Sequence, residues 1–270
     1  MDLLYSIALA KVVVCAASLA LASAQDLRTR EVGDAIWLAM GGCGAALTAA
    51  ELSIDFSYPR LTVLAISAAL CFALGLGLYY LGFFGGADAK CLWCLGIALP
   101  FNPLERLGLS PFGPQNPVFS MSIFNNSILT AALLAVGIML SNAVRRVKGP
   151  LFTSNEERSF WKRLVAVMVG YKSRVSKVLE RRDFYFPLEE FALKEGRVER
   201  RFRLSARAAD YDLYAALEGL VREGLVRGDE EVWVSPAIPL IANIALGFFV
   251  SLLYGDLVLA IIEGLLASML

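Results

Sequence analysis

Long apolar runs separated by short polar breaks dominate the chain. Runs of membrane-spanning length cover residues 3–24, 35–52, 61–84 and 118–140, and another begins at residue 238. Each approaches or exceeds the roughly 20 residues that a helix needs to cross a bilayer. A shorter run, 89–101, ends among prolines and is predicted as a sixth span. The pattern therefore predicts a polytopic membrane protein with about six transmembrane helices.

One polar stretch, residues 142–235, interrupts this pattern before the last apolar run. It holds 19 of the 25 Lys and Arg residues and 15 of the 25 Asp and Glu residues, a net charge of +4 in a chain whose net charge is zero. Apolar residues at helical spacing over 156–180 predict an amphipathic helix, which lies either along the membrane surface or on its own small core. Further predicted elements are strands at 184–191 and 198–204, a helix at 208–226 and a strand at 231–234.

Composition agrees with this division of the chain. The 270 residues are 57% hydrophobic and only 19% charged, and the mean hydropathy is +0.61, which is outside the range of soluble domains. The predicted fold class is an all-α polytopic membrane protein with a small α+β cytoplasmic domain inserted before the last helix. The predicted domains are a transmembrane catalytic core (1–141), the cytoplasmic domain (142–235) and the last transmembrane helix with the C-terminus (236–270). The first run is too long for the core of a signal peptide and is predicted to be retained.

Basic residues in short loops mark the cytoplasmic side of a membrane protein. They follow the first, third and fifth predicted spans, whereas the alternate loops carry only Arg60 and Arg106. This places the N-terminus outside and the polar domain inside. Asp26 ends the first span and Asp88 follows the third, so both carboxylates are predicted to lie at the cytoplasmic boundary of the membrane.

The residue inventory excludes several chemistries. The chain has no histidine, which rules out an HExxH zinc site and a Ser–His dyad. The five cysteines all lie in apolar segments, and although Cys91 and Cys94 have the spacing of a redox or metal motif, packing is the favoured interpretation. No nucleotide or nucleic-acid motif is present, and we predict neither a metal nor a cofactor.

Two carboxyl groups that hold one water can hydrolyse a peptide bond without a covalent intermediate. Asp88 is predicted at the start of a helix, where free N–H groups and the helix dipole favour a carboxylate. Asp26 is predicted at a helix end, where the dipole opposes one unless Arg28 and Arg30 offset it. These positions predict that Asp88 is the base and Asp26 the acid. The alternative is that either aspartate, considered singly, has no catalytic role and is an ordinary polar residue at the end of a helix.

Two segments resemble the motifs of a known family. Residues 26–32 (DLRTREV) and 85–90 (GGADAK) are similar to the first-aspartate motif and the G-x-G-D-x-K motif of the type IV prepilin peptidases, most closely in their archaeal branch, the preflagellin peptidases. The resemblance implies that Asp26 and Asp88 are the catalytic residues of a GxGD-type aspartyl protease. It also implies substrate or backbone positioning by the other residues of the second motif, namely Gly85, Gly86, Ala87 and Lys90. Ala87 stands where the motif has its second glycine.

The same resemblance implies the substrate: an archaellin or pilin-like precursor whose short basic leader is cut at the cytoplasmic membrane boundary. The implied partners are therefore precursor leader peptides and the lipid bilayer, with no nucleic acid, and the oligomeric state stays open. Glu31 and Asp34 either attract the basic leader or, for Asp34, cap the second span. Alternative functions are a proton-coupled membrane transporter or an inactive assembly scaffold that uses the same acidic pair.

One intramembrane lysine stands apart from these motifs. Lys11 lies inside the first predicted span, and a lysine at that depth needs a charged partner or must extend toward the outer surface. Asp256 lies at a similar depth in the last apolar run. We predict an ion pair between Lys11 and Asp256, with outward extension of Lys11 as the alternative.

Overall fold

A computed structural model describes residues 3–152, 159–194, 197–203 and 211–269. The chain divides into two compact units. The first comprises Met1–Ala131 with Pro239–Leu270, and the second comprises Ala132–Ile238. The helices are α1 (Leu3–Thr29), α2 (Asp34–Ile54), α3 (Tyr58–Tyr80), α4 (Gly86–Ala98), α5 (Pro103–Arg106), α6 (Phe119–Lys148), α7 (Phe160–Val169), α8 (Val175–Glu180), α9 (Tyr211–Arg222), α10 (Leu240–Leu253) and α11 (Leu257–Met269).

Several of these helices are long and apolar enough to cross a membrane, and the protein is a membrane protein. Among the described residues, α1, α2, α3 and α6 each meet both criteria, and α10 with α11 form a fifth candidate span bent by 59°. Helix α4 has 13 residues. At about 1.5 Å per residue it reaches roughly 20 Å, short of the roughly 30 Å hydrocarbon core. The structure therefore has four or five candidate spans, where the apolar pattern predicts about six.

The core of the first unit lies where α1, α2, α4 and α10 meet. Its buried members include Leu19, Met40, Leu95 and Phe248. Close helix approach is possible because small residues lie at the contacts, as is common between membrane helices. A Cβ atom added to Gly44 would lie 2.4 Å from the Cβ atom of Ala98. Larger apolar side chains on the outer faces of the helices are exposed and are available to lipid.

The predicted pairing of Lys11 with Asp256 is wrong. Lys11 Nζ instead donates to Glu51 Oε2 at 2.7 Å, joining α1 to α2. Lys11 and Glu51 are 40 residues apart, and Glu31 in the turn of the α1–α2 hairpin is midway between them. Antiparallel packing of the hairpin therefore places the two side chains at one depth.

Asp256 has a different role, at the bend between α10 and α11. Its Oδ1 accepts a hydrogen bond from the backbone N–H of Leu259 in the first turn of α11. Its Oδ2 accepts hydrogen bonds from the side-chain amides of Asn125 (2.9 Å) and Asn116 (3.3 Å). The preceding Gly255 has φ +114°. A fully buried aspartate thus begins the second half of a broken apolar helix.

The second unit contains the strands. They are β1 (Tyr171–Arg174), β2 (Tyr185–Pro187), β3 (Glu189–Lys194), β4 (Arg197–Phe202) and β5 (Glu231–Pro236). Strand β5 pairs antiparallel with both β1 and β2, and β3 and β4 form a separate antiparallel pair. The sheets and the adjacent helices enclose apolar clusters that include Leu217, Val232 and Trp233. The α+β character predicted for this stretch is confirmed.

The single amphipathic helix predicted over 156–180 is wrong within the described residues. It is replaced by α7, β1 and α8, while residues 156–158 lie outside the described part of the chain. The break is at Gly170, where an added Cβ atom would lie 2.5 Å from the carbonyl oxygen of Val234. Pairing of β1 with β5 therefore overrides the helical spacing of the apolar residues. The predicted helix 208–226 corresponds to α9, and its first three residues are also outside the described part.

Candidate active site

Asp26 lies in the last turn of α1 and is buried, with 9% of its surface exposed. The chain turns sharply after this helix and is held there by side-chain hydrogen bonds. Thr29 Oγ1 donates to the carbonyl oxygen of Gln25 at 3.0 Å, and the Gly33 N–H donates to Gln25 Oε1 at 3.0 Å. These contacts connect the end of α1 to the start of α2, and they place Asp26 beside a short, ordered turn.

Asp88 lies in the first turn of α4, as its sequence position predicts. Gly85 is the N-cap residue, and its backbone N–H donates to Asp88 Oδ2 at 2.8 Å. A Cβ atom added to Gly85 would lie 3.3 Å from that oxygen, which is a tight contact, whereas one added to Gly86 would meet no atom within 4 Å. The absence of a side chain at Gly85 therefore leaves room for the carboxylate of Asp88 to fold back onto the Gly85 backbone. Ala87 packs against the core of the first unit.

Asp26 and Asp88 lie near enough for their charges to interact, and one arginine lies beside Asp26. Arg30 Nη1 lies 3.6 Å from Asp26 Oδ1. The charge of Asp88 interacts with the charges of both Asp26 and Arg30. Asp88 precedes the apolar part of α4 and lies outside the candidate spans, and burial raises the pKa of its carboxyl to about 6. One cation and two carboxylates thus share a site at neighbouring helix ends, and a site of this kind can hold a proton between its acids.

Lys90, the last residue of the second motif, pairs with Asp34 and not with either aspartate of the proposed dyad. Its Nζ donates to Asp34 Oδ1 at 2.5 Å, so the ion pair joins α4 to the first residue of α2. Asp34 does not cap α2, because the N-cap residue is Gly33. The pair lies at a cavity of about 280 Å³. The lining residues of this cavity are Asp34, Trp37, Leu38, Lys90, Trp93 and Cys94.

The cysteines are free, and the two at motif spacing serve packing, as predicted. Cys91 is fully buried in the core of the first unit. Cys94 Sγ donates to the carbonyl oxygen of Trp37 at 3.3 Å. Within the described residues, no group of three or more Cys, Asp or Glu side chains is placed to hold a metal ion.

Sequence reasoning missed the position of the Arg30 side chain. In the sequence, Arg28 and Arg30 are two equivalent basic residues after the first span, and both indicate the cytoplasmic side. The available signal was the i, i+4 spacing of Asp26 and Arg30, which places two side chains on one face of a helix. Only the backbone geometry at the end of α1 distinguishes Arg30, which lies against Asp26, from Arg28, which is exposed.

Comparisons with known proteins agree with the motifs. Residues 13–136, which include both aspartates, match the model of the type IV leader peptidase family. Residues 162–257 match the model of the archaeal peptidase A24 C-terminus, type II. A preflagellin peptidase of Methanocaldococcus jannaschii is 27% identical over 254 residues, covering 92% of this chain and 95% of the relative. Preflagellin peptidases of Methanococcus maripaludis and Methanococcus voltae are 27% and 25% identical, over 92% and 90% of this chain and 96% and 94% of their own lengths.

Proposed function

We propose that the chain is an aspartic endopeptidase of the membrane, because its sequence matches the models of the type IV leader peptidase family and of the archaeal peptidase A24 C-terminus. Its substrates are archaellin or type IV pilin-like precursors, from which it removes the short basic leader. The relatives named preflagellin peptidase support this substrate class, and they favour a peptidase over a transporter or an assembly scaffold.

The observation that carries the proposal is the meeting of Asp26 and Asp88 at neighbouring helix ends. Asp26 is in the last turn of α1 and Asp88 in the first turn of α4, and their charges interact. In this mechanism the two carboxylates share one proton, because the charge of one opposes ionisation of the other. The ionised carboxylate accepts a proton from the attacking water, and the protonated one donates to the carbonyl oxygen of the scissile bond.

The position of the site fits a bond just outside the lipid. Both aspartates lie at helix ends and not at the middle of a span. The basic residues that follow the first span support a cytoplasmic position for this end. A precursor whose apolar helix lies in the bilayer would present its leader at this boundary. Gly85 and Gly86 allow an extended substrate backbone to approach, because they carry no side chain. Lys90 positions α4 against α2 through Asp34.

The test is cleavage of precursor pilins and archaellins by the protein in membranes. We expect wild-type protein to release the leader. We expect Asp26→Ala and Asp88→Ala each to lose about 99% of the activity or more, since neither carboxylate can act alone. Asp229→Ala is the matched control, because Asp229 is an exposed aspartate of the second unit that pairs with Arg227. A processed product that persists at the wild-type rate in either dyad variant would exclude the two-aspartate mechanism.

A further inference from the structure

Arg30 has an unusual backbone conformation at the edge of the proposed dyad. Among the described residues it is the only non-glycine residue with positive φ, at 59°. Side chains other than glycine rarely adopt this left-handed conformation. The backbone N–H of Arg30 donates to the carbonyl oxygen of Asp26 at 3.1 Å and closes the last turn of α1. Glycine would satisfy the same turn without strain, so the presence of arginine calls for a reason in its side chain.

The side chain of Arg30 folds back onto the dyad. Its guanidinium lies 3.6 Å from the carboxylate of Asp26, and only 16% of the side chain is exposed. The positive charge of Arg30 also interacts with the carboxylate of Asp88. A cation beside one of two neighbouring carboxylates favours ionisation of the nearer one. Arg28 is exposed on the same turn and is the natural comparison.

We propose that Arg30 is a positioning residue that keeps Asp26 ionised, so that Asp26 is the base and Asp88 holds the proton. This inference rests on the proposed function, and it reverses the assignment that helix ends alone predict. The dipoles of α1 and α4 favour the opposite assignment, but a full charge in contact acts more strongly than a partial charge. The raised pKa of Asp88 agrees with this order.

Most charged groups on the helices that pack against α1 pair with one another and not with the dyad. Of the helices that pack against α1, α10 carries no ionisable residue, and the two carboxylates of α2, Asp34 and Glu51, contact Lys90 and Lys11. Helix α5 carries Glu105 and Arg106, and Arg106 pairs with Glu51 and Asp55. On α4 the titratable neighbour of Asp88 is the buried thiol of Cys91. Arg30 is therefore the cation that acts on the dyad from the end of α1.

With Asp26 as the base and Asp88 as the acid, each proton in the reaction can be followed. Asp26 takes a proton from water as the water oxygen bonds to the carbonyl carbon, and Asp88 gives its proton to the carbonyl oxygen. The resulting gem-diol returns a proton to Asp88 as the C–N bond breaks. The leaving nitrogen takes the proton from Asp26. Both carboxyl groups regain their starting states, and Arg30 stays charged throughout.

The test measures the ionisation of Asp26 directly, by infrared titration of its carboxyl band in detergent-solubilised protein, with Asp26→Asn to identify the band. We expect Arg30→Gln and Arg30→Gly to raise the apparent pKa of Asp26 by about one pH unit, a tenfold change in its ionisation constant. Arg30→Lys keeps a cation at this position, so the apparent pKa of Asp26 should stay close to its wild-type value. Arg28→Gln is the matched control and should leave the apparent pKa of Asp26 unchanged.

Cleavage is measured on the same variants. The acid limb of the kcat/KM profile should move to higher pH by a similar amount in Arg30→Gln and Arg30→Gly, and this shift is a readout that a purely structural role would not produce. Arg30→Gly also relieves the left-handed turn, so it carries the test if Arg30→Gln does not fold. An unchanged Asp26 titration in Arg30→Gly would overturn the proposal. Failure of wild-type protein to cut any precursor would instead reject the proposed function, because the infrared titration needs no substrate.

Discussion

Replacing Glu51 by glutamine should destabilise the membrane unit strongly. The side chain of Glu51 is 6% exposed and accepts from three cations: Lys11 at 2.7 Å, Arg60 at 3.0 Å and Arg106 at 3.4 Å. Asp55 lies at the edge of the cluster and pairs with Arg60 and Arg106. Glutamine keeps the shape of the side chain but removes the charge, which leaves three cations facing one carboxylate.

The magnitude follows from the geometry. At an effective dielectric constant near 20, each pair at about 3 Å is worth roughly 5 kcal/mol before desolvation is subtracted. Removing one partner of a buried ion pair costs about 3–5 kcal/mol, because the remaining charge is left uncompensated. Lys11 is the most affected cation, since it is 3% exposed and cannot be solvated in place. We therefore expect a loss of about 4 kcal/mol, or roughly 10 °C in Tm.

The assay is thermal unfolding in detergent, followed by retention of the monodisperse peak in size-exclusion chromatography. Lys11→Met is the matched variant, because it leaves two arginines opposite Glu51 and Asp55, a balanced cluster. We expect it to cost about 1 kcal/mol or less, since replacing buried charges by apolar groups is often neutral. Combining it with Glu51→Gln should recover part of the loss. Equal destabilisation by Lys11→Met and Glu51→Gln, or a Tm change under about 2 °C for Glu51→Gln, would refute this reasoning.

Two glycine predictions have built-in controls. Gly85→Ala should lower the rate of cleavage about tenfold, because the new methyl group would lie 3.3 Å from Asp88 Oδ2 and displace the Asp88 carboxylate. Gly77→Ala is the control and should leave the rate unchanged, because the new methyl group would meet no atom within 4 Å. Gly255→Ala should cost about 3 kcal/mol in detergent unfolding, because φ is +114° and the new atom would lie 2.4 Å from a carbonyl oxygen. Gly264→Ala, with open space around it, should be neutral, and equal effects within either pair would contradict the steric argument.

Much of the fold was predictable because its signals are local. Apolar runs longer than a bilayer require helices, so α1, α2 and α3 begin within a few residues of their predicted starts. The capping position of Asp88 was predictable for the same reason, since glycines before a helix and an aspartate in its first turn form a short-range pattern. Strands β2, β4 and β5 begin within one residue of strands predicted from runs of β-forming residues bounded by turns.

The remaining features depend on residues far apart in the chain. The partner of Lys11 is set by the antiparallel hairpin of α1 and α2, which brings Glu51 to its depth, and no local pattern distinguishes Glu51 from Asp256. Residues 171–174 lie inside the helix predicted over 156–180 yet form a strand, because β5 offers backbone hydrogen bonds from about 60 residues further along the chain.

Local sequence patterns are enough to establish that this chain spans a membrane, carries a strand-containing polar unit and has two acidic motifs at helix ends, because hydrophobic periodicity and helix capping act over a few residues. Which charged side chains meet depends on the packing of the helices. In the folded chain, Arg30 pairs with Asp26, Lys90 with Asp34 and Lys11 with Glu51. Electrostatic interactions depend on distance in space, and in a folded membrane protein that distance is set by how the helices pack.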